Sequence, residues 1–257
     1  MATAADILQF MESLAPRSMK MDWDNVGLLC GSGNTPVTKI LVALDPFEHV
    51  CQEAANWDAQ LIVTHHPLIF QALTSITDET SVGRGILTLC RNGICAINAH
   101  TNLDLAPGGV NDVLAEVLGL KDVQIINPID NCGLLRQGNV DVQSMAQFLS
   151  HVKTALGCEG LRYVDSGKPV HRVAVGGGAC GSELMDAYRA GCDTFVTSDV
   201  KYNQFWDAKD LGLNLIDAGH FYTENPVVAV LAKKLQAAFP EIEVKISESH
   251  WDCMKYY

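Results

Sequence analysis

The sequence predicts an α/β protein made by internal duplication, and three observations carry that prediction. Apolar runs of strand length alternate with amphipathic helical patterns; the alternation restarts after an irregular join near Asn127 to Gly133; and the two halves share short matching stretches. Val42-Ala43-Leu44-Asp45 leads to Val63-Thr64-His65-His66, and Val173-Ala174-Val175-Gly176 leads to Val196-Thr197-Ser198-Asp199. Each half then passes through a helix to another strand, ending INAHTNLD in the first and IDAGHFYTE in the second.

The elements follow in order. Ile7, Phe10, Met11 and Leu14 share one face of an opening helix. KILVALD reads as a strand, Phe47 to Trp57 as a helix, QLIVTHH as a strand, Ser81 to Arg91 as a helix, GICAINA as a strand and Gly109 to Leu118 as a helix. After the join come a helix at Ser144 to Leu156, the strand HRVAVGG, a helix at Ser182 to Ala190, the strand DTFVTSD and a helix at Asn203 to Leu211. The strand LNLIDA, a helix at Asn225 to Phe239 and the strand EVKIS complete the chain. No low-complexity linker separates the halves, so the expected division is 1–126 and 127–257.

Composition narrows the function. A 48% hydrophobic, 19% charged chain of 257 residues is ordinary for a globular protein, and a formal charge of −12 argues against nucleic acid and anionic membranes as partners. A phosphate-bearing ligand needs local cations, such as Arg84, Arg91 and Lys201, or bound metal. Nine cysteines without a C-x-x-C pair, several inside apolar patterns, fit reduced and buried thiols. The first residues lack the basic and continuous apolar segments of a signal peptide, and no run of about 18 apolar residues occurs, so a cytoplasmic protein without a membrane span is expected.

LIVTHHPLIF (61–70) places two adjacent imidazoles, His65 and His66, in front of Pro67. Neighbouring strand residues point to opposite faces, and Pro67 cannot donate to a sheet, so both belong at the strand's carboxyl end, where open α/β sheets bind ligands. His100 with Asp104 and His220 with Glu224 repeat a His-x-x-x-acid spacing at matching points of the duplication, which a turn of helix brings onto one face. Three or four imidazoles with two or three carboxylates and no thiolate suit zinc, iron, manganese or nickel, and five or six donors exceed the need of one open ion. Two ions bridged by Asp104 or Glu224 and a hydroxide would use them all. Asp199 stands as either an imidazole-orienting carboxylate or a helix cap, the cap favoured; Trp23, between Asp22 and Asp24, either caps the site or packs, with packing favoured.

WDNVGLLCG (23–31), VALDP (42–46), THHP (64–67), AHTNLD (99–104), TSDVKY (197–202) and DAGHFYTE (217–224) together resemble the Nif-three-like family, also catalogued as GTP cyclohydrolase I type 2 homologues or dinuclear metal-centre hexameric proteins. The resemblance spans essentially the whole chain. It implies two similar, intertwined three-layer α/β/α units, a toroidal homo-hexamer, and two divalent transition-metal ions held by His65, His66, Asp104, His220 and Glu224, with His100 close by. The inserted ferredoxin-like domain of longer members has no room here.

A metal-dependent hydrolase follows from this reading, with His100 shuttling a proton. The family name points to opening of the purine ring of GTP by metal-bound hydroxide. The alternatives are a non-enzymatic metal-dependent binding or metal-delivery protein, and a two-metal phosphoesterase. Gly176, Gly178 and Gly181 also spell G-x-G-x-x-G, a rival dinucleotide motif, although the repeat sets these glycines opposite DPFEHV and accounts for them as a strand-to-helix turn. Gly167-Lys168 is followed by proline and makes no P-loop, and no G-x-S-x-G elbow is present.

Overall fold

The computed structural model describes residues 1–128 and 132–257, so part of the expected join, 129–131, lies outside the described residues. In chain order the elements are α1 (Ala4–Leu14), β1 (Gly27–Cys30), β2 (Lys39–Ala43), α2 (Glu48–Asn56), β3 (Leu61–Thr64), α3 (Ser81–Arg91), β4 (Cys95–Asn98), α4 (Thr101–Leu105), α5 (Val110–Val117), β5 (Lys121–Ile125) and β6 (Arg136–Gln143). They continue with α6 (Met145–Leu156), β7 (Arg162–Val164), β8 (Val170–Val175), α7 (Leu184–Arg189), β9 (Thr194–Thr197), α8 (Tyr202–Leu211), β10 (Asn214–Asp217), α9 (His220–Glu224), α10 (Pro226–Ala238) and β11 (Glu243–Ile246).

Two compact units result, each drawing on two stretches of chain: 1–106 with 228–251, and 107–227 with 252–257. The expected boundary after residue 126 is therefore corrected. The reason is sheet membership: β5, before that boundary, pairs with β6 in the second unit's sheet, while β11, far beyond it, pairs with β2 in the first.

The first unit's sheet runs β1-β4-β3-β2-β11, parallel except for β1. Leu41, Ala43, Ile62 and Ala96 pack with Val50, Cys51 and Ala54 of α2 and Ile86 and Leu89 of α3, while Ile40, Val42, Val63 and Ile97, alternate along the same strands, are equally buried. Burial on both faces is why these strands read as unbroken apolar runs rather than alternating ones.

The second unit's sheet runs β5-β6-β8-β9-β10-β7, with a parallel core β8-β9-β10. Val173, Val175, Val196 and Ile216 face Phe148 and Val152 of α6, whereas Ala174, Phe195 and Leu215 face Leu184 and Ala187 of α7 and Ala208 of α8. Three layers follow directly. Ser144 opens α6 with a capping box to Gln147, and Gly157 closes it in the left-handed conformation.

The duplication is visible in the pairing. β2-β3-β4 and β8-β9-β10 are both parallel triplets, each flanked beyond its third strand by an antiparallel edge, β1 and β7. The expected helix at Ser182 to Ala190 is split into a 3₁₀ turn at Cys180–Glu183 and the short α7. No helix among the described residues is long and apolar enough to cross a membrane.

β11 is fastened to the first unit by Glu53 on α2. Its carboxylate accepts from Ser247 Oγ (2.5 Å) and the backbone N–H groups of Glu248 (3.1 Å) and Ser249 (3.0 Å), and lies 3.3 Å from Lys245 Nζ. Burial alone would raise its pKa, but these donors outweigh it and hold the carboxyl at about 2. A depressed carboxylate stabilises the fold above its unfolded pKa and loses that contribution as pH falls through the folded value. Urea unfolding should therefore show Glu53→Gln less stable by about 2–3 kcal/mol at pH 7. The gap should close between pH 4.5 and 2; a gap independent of pH would show that the charge is not what fastens the strand.

Candidate metal centre

In the first unit, three imidazoles meet beyond the carboxyl ends of β3 and β4. The chain after β3 is pinned by His66 N–H donating to Leu44 O (2.9 Å) and Thr64 Oγ1 donating to His66 O (2.7 Å). His65 is fully buried; His66 and His100 are partly exposed. Ring centroids lie 4.9 Å apart for His65 and His66, 5.2 Å for His65 and His100, and 5.5 Å for His66 and His100. Each ring offers one nitrogen within 4.8 Å of the others.

The orientation of these rings is fixed through Nδ1. His65 Nδ1 lies 2.9 Å from Ala99 O, His66 Nδ1 2.6 Å from Asp45 Oδ1, and His100 Nδ1 2.7 Å from Asp24 Oδ1. A carbonyl or an ionised carboxylate can only accept, so each neutral ring carries its proton on Nδ1 and keeps the Nε2 lone pair. That is the arrangement in which metal-binding histidines are held by outer-shell acceptors. Asp24 also accepts from Thr101 N–H (3.0 Å) and Thr101 Oγ1 (2.5 Å). Burial opposes its ionisation, yet His100 and Thr101 outweigh burial and hold its pKa far below the usual carboxylate range.

Asp104 enters the same cluster from α4, whose N-cap is His100, and its Oδ1 lies 3.5 Å from His65 Nε2. A nitrogen lone pair facing a carboxylate oxygen brings two acceptors together. A cation between them removes the repulsion.

The second unit repeats this chemistry in a shorter form. His220 and Glu224 lie four residues apart on α9, with His220 Nε2 3.0 Å from Glu224 Oε2, and Nδ1 held 2.8 Å from Asp199 Oδ2. Asp199 adopts φ +51, a conformation non-glycine residues rarely take, and its neighbours are tied down on both sides: Ser198 N–H donates to Gly178 O (3.1 Å) and Val200 N–H to Asp217 Oδ2 (3.1 Å). The N-cap of α8 is Lys201, so Asp199 orients an imidazole and does not cap the helix, contrary to the favoured expectation.

The glycine motif has a specific duty here. Gly178 has φ +65, and a Cβ built on it would stand 2.0 Å from Glu224 Oε1 and 3.3 Å from His220 Nε2. Its N–H donates to Thr223 Oγ1 (3.0 Å), and Gly177 N–H to Asn111 Oδ1 (2.7 Å). The loop thus admits a buried carboxylate where a dinucleotide motif would admit a pyrophosphate. Trp23 departs from the packed position expected of it: 62% exposed, it touches Phe70 and His100 edge-to-face.

The six residues singled out in the sequence thus form a cluster of His65, His66, His100 and Asp104 in the first unit and a pair, His220 and Glu224, in the second. Nitrogen and oxygen donors, acceptor-held Nδ1 atoms, facing carboxylates and the space kept by Gly178 all fit a divalent transition metal, and these clusters could bind a metal ion. Asp24 and Asp45 were not foreseen as partners of these histidines. One regularity pointed to Asp45, since Asp45 and His66 are 21 residues apart, as are Asp199 and His220.

The family model for Duf34/NIF3 (NGG1p interacting factor 3) matches residues 2–252. A GTP cyclohydrolase 1 type 2 homolog of Clostridium perfringens is 35% identical over 257 residues, covering 98% of each chain. Among solved structures, a Staphylococcus aureus hypothetical protein superposes with a TM-score of 0.94 at 31% identity, over 99% of both chains. A Bacillus cereus protein related to NIF3 superposes with a TM-score of 0.94 at 26% identity, over 100% of this chain and 99% of its own. With a family model spanning nearly its whole length, the chain belongs to the DUF34/NIF3 family.

Proposed function

We propose that the protein is a hydrolase with a dinuclear metal centre, in which His65, His66, Asp104, His220 and Glu224 hold two divalent transition-metal ions and His100 carries a proton. The observation that carries this reading is the common state of four imidazoles: each Nδ1 faces a fixed acceptor, so each Nε2 is left with its lone pair for a metal or for a proton in transit. Bound there, the ions would act as Lewis acids and bring the pKa of a water molecule toward neutrality.

The chain's own groups do the remaining work. Asp24, kept ionised, accepts the Nδ1 proton of His100 and stabilises its imidazolium, so His100 can take a proton at Nε2 and return it to a leaving group. Asp45 and Asp199 fix the rings of His66 and His220. Gly178 leaves the Glu224 carboxylate its place.

For substrate, the name shared by the relatives supports GTP: hydrolytic opening of the purine's five-membered ring at C8 with loss of formate. The net charge of −12 favours a second reading, a metal-dependent binding protein without turnover, because a triphosphate would find few cations on such a surface. The proposal includes a cytoplasmic homo-hexamer. Tyr202 and Trp206, exposed four residues apart on α8, support a contact with another copy, and the buried Cys51, Cys95, Cys158 and Cys192 support a reducing compartment.

Protein purified without chelators should contain close to two transition-metal ions per chain by elemental analysis. Glu224→Gln and Gly178→Ala should both lower that occupancy, the first by weakening a ligand and the second by driving a methyl group into it. A folded wild-type protein with almost no metal would sink the centre.

Metal-replete protein incubated with GTP should release formate, and His100→Ala should retain metal while slowing turnover by roughly 10²- to 10⁴-fold. Phosphate release from simple phosphoesters without formate would make the protein a phosphoesterase. Silence on both would favour the binding protein.

A further inference from the structure

We propose that Trp23 and Phe70 form a stacking platform for an uncharged, planar heteroaromatic ring of the ligand, with the ring of His100 as its third wall. The inference deepens the reading of the neighbouring cluster as a hydrolytic metal site and rests on it. Trp23 is 62% exposed and Phe70 50% exposed, yet they are not scattered surface residues. Their centroids lie 5.8 Å apart at 74°, and each also stands edge-to-face with His100, at 6.2 Å and 74° for Trp23 and 6.0 Å and 84° for Phe70. Three nearly perpendicular rings make a corner. A flat ring laid on one wall meets the positive edge of another, the geometry that aromatic quadrupoles favour.

The corner is held rigidly, unlike an exposed side chain on a free loop. Beside Trp23, Asp24 is buried and bound to His100 and Thr101. Asn25 Nδ2 donates to Ile69 O (2.7 Å), joining the Trp23 loop to the residue before Phe70, and Asn98 Nδ2 donates to Asn25 O (3.1 Å). Met21 N–H donates to Thr101 Oγ1 (2.9 Å). Ordering these rings is therefore not left to the binding step, which is what preorganisation contributes to affinity.

Charge selects the ligand class. Of the cations in the same segment, Lys20 Nζ is turned onto Met21 O (3.1 Å) and Arg17 Nε lies 3.5 Å from Glu12. The corner thus offers π faces and an imidazole edge, suited to a nucleobase-sized ring and not to its phosphates.

The test uses the 257-residue chain, metal-loaded and chelator-treated, with guanosine as probe and ribose 5-phosphate as control, both followed by saturation-transfer NMR titration. Guanosine should bind in both metal states, and ribose 5-phosphate should not displace it. Trp23→Leu, which keeps an apolar side chain but removes the π face, should weaken guanosine by about tenfold, as should Phe70→Leu, while Trp23→Phe should cost less than about threefold. Elemental analysis should find the metal content of all three variants unchanged. Failure of wild type to bind guanosine, or binding by both Leu variants as tight as that of wild type, would overturn the platform while leaving the metal centre standing. Absence of metal in wild type would instead overturn the metal reading, with the guanosine titration still deciding the platform.

Discussion

The clamp on each imidazole's Nδ1 is the interaction on which the rest of the candidate centre depends. A histidine at a strand end has two ring nitrogens and a choice of tautomers, and only a fixed acceptor decides which nitrogen faces inward. The fold supplies four such acceptors from different places: a backbone carbonyl just after β4 for His65, Asp45 just after β2 for His66, Asp24 just before β1 for His100, and Asp199 just after β9 for His220. The sheets make this possible: parallel strands of one sheet end on the same side, where their following loops lie side by side, and the antiparallel β1 begins on that side of the first sheet. The sheet is thus a frame that sets several loops side by side.

Holding those acceptors in place costs stability, and the cost is visible. Asp24 is an ionised carboxylate taken out of water, tolerable because His100 and two donors from Thr101 surround it. Asp199 sits at φ +51, worth about 1–3 kcal/mol of strain. The surrounding cores offset this: Leu41, Ile62, Phe148 and Phe195 are completely buried. One buried carboxylate, Asp24, and one residue in a strained conformation, Asp199, thus both serve as clamps.

The central strands were legible in the sequence because they are buried on both faces, so KILVA, LIVT, TFVT and NLID stand out as continuous apolar stretches. β6 was not, since its RQGNVDVQ is polar and only partly buried, and β7 is three residues on an antiparallel edge. The unit boundary escaped for a related reason. Strand exchange between distant segments, β11 onto β2, leaves no local mark on either strand. Adjacent histidines and the two His-x-x-x-acid spacings are local signals, and the residues they named are the ones that cluster or pair within each unit. The Asp24 and His100 pairing joins residues 76 apart, with four strands and two helices between them, where only three-dimensional structure brings them together.

Hydrogen-bond register also revises how the two halves correspond. Val42 pairs with Val63 in the first sheet and Val175 with Val196 in the second, so the counterpart of Val42 is Val175, two residues later than the sequence match suggests. Asp45, which clamps His66, then corresponds to Gly178, and His66 corresponds to Asp199, which clamps His220. The duplicated clamp has moved across by one strand: the carboxylate follows the first strand of the triplet in one unit and the second strand in the other. This shift explains why Gly178 must lack a side chain. With its position relieved of clamping, the space goes to Glu224, the second unit's acid and one methylene longer than Asp104. A side chain at 178 and a buried Glu224 exclude each other sterically, so the glycine-rich turn and the choice of glutamate over aspartate are two halves of one structural change.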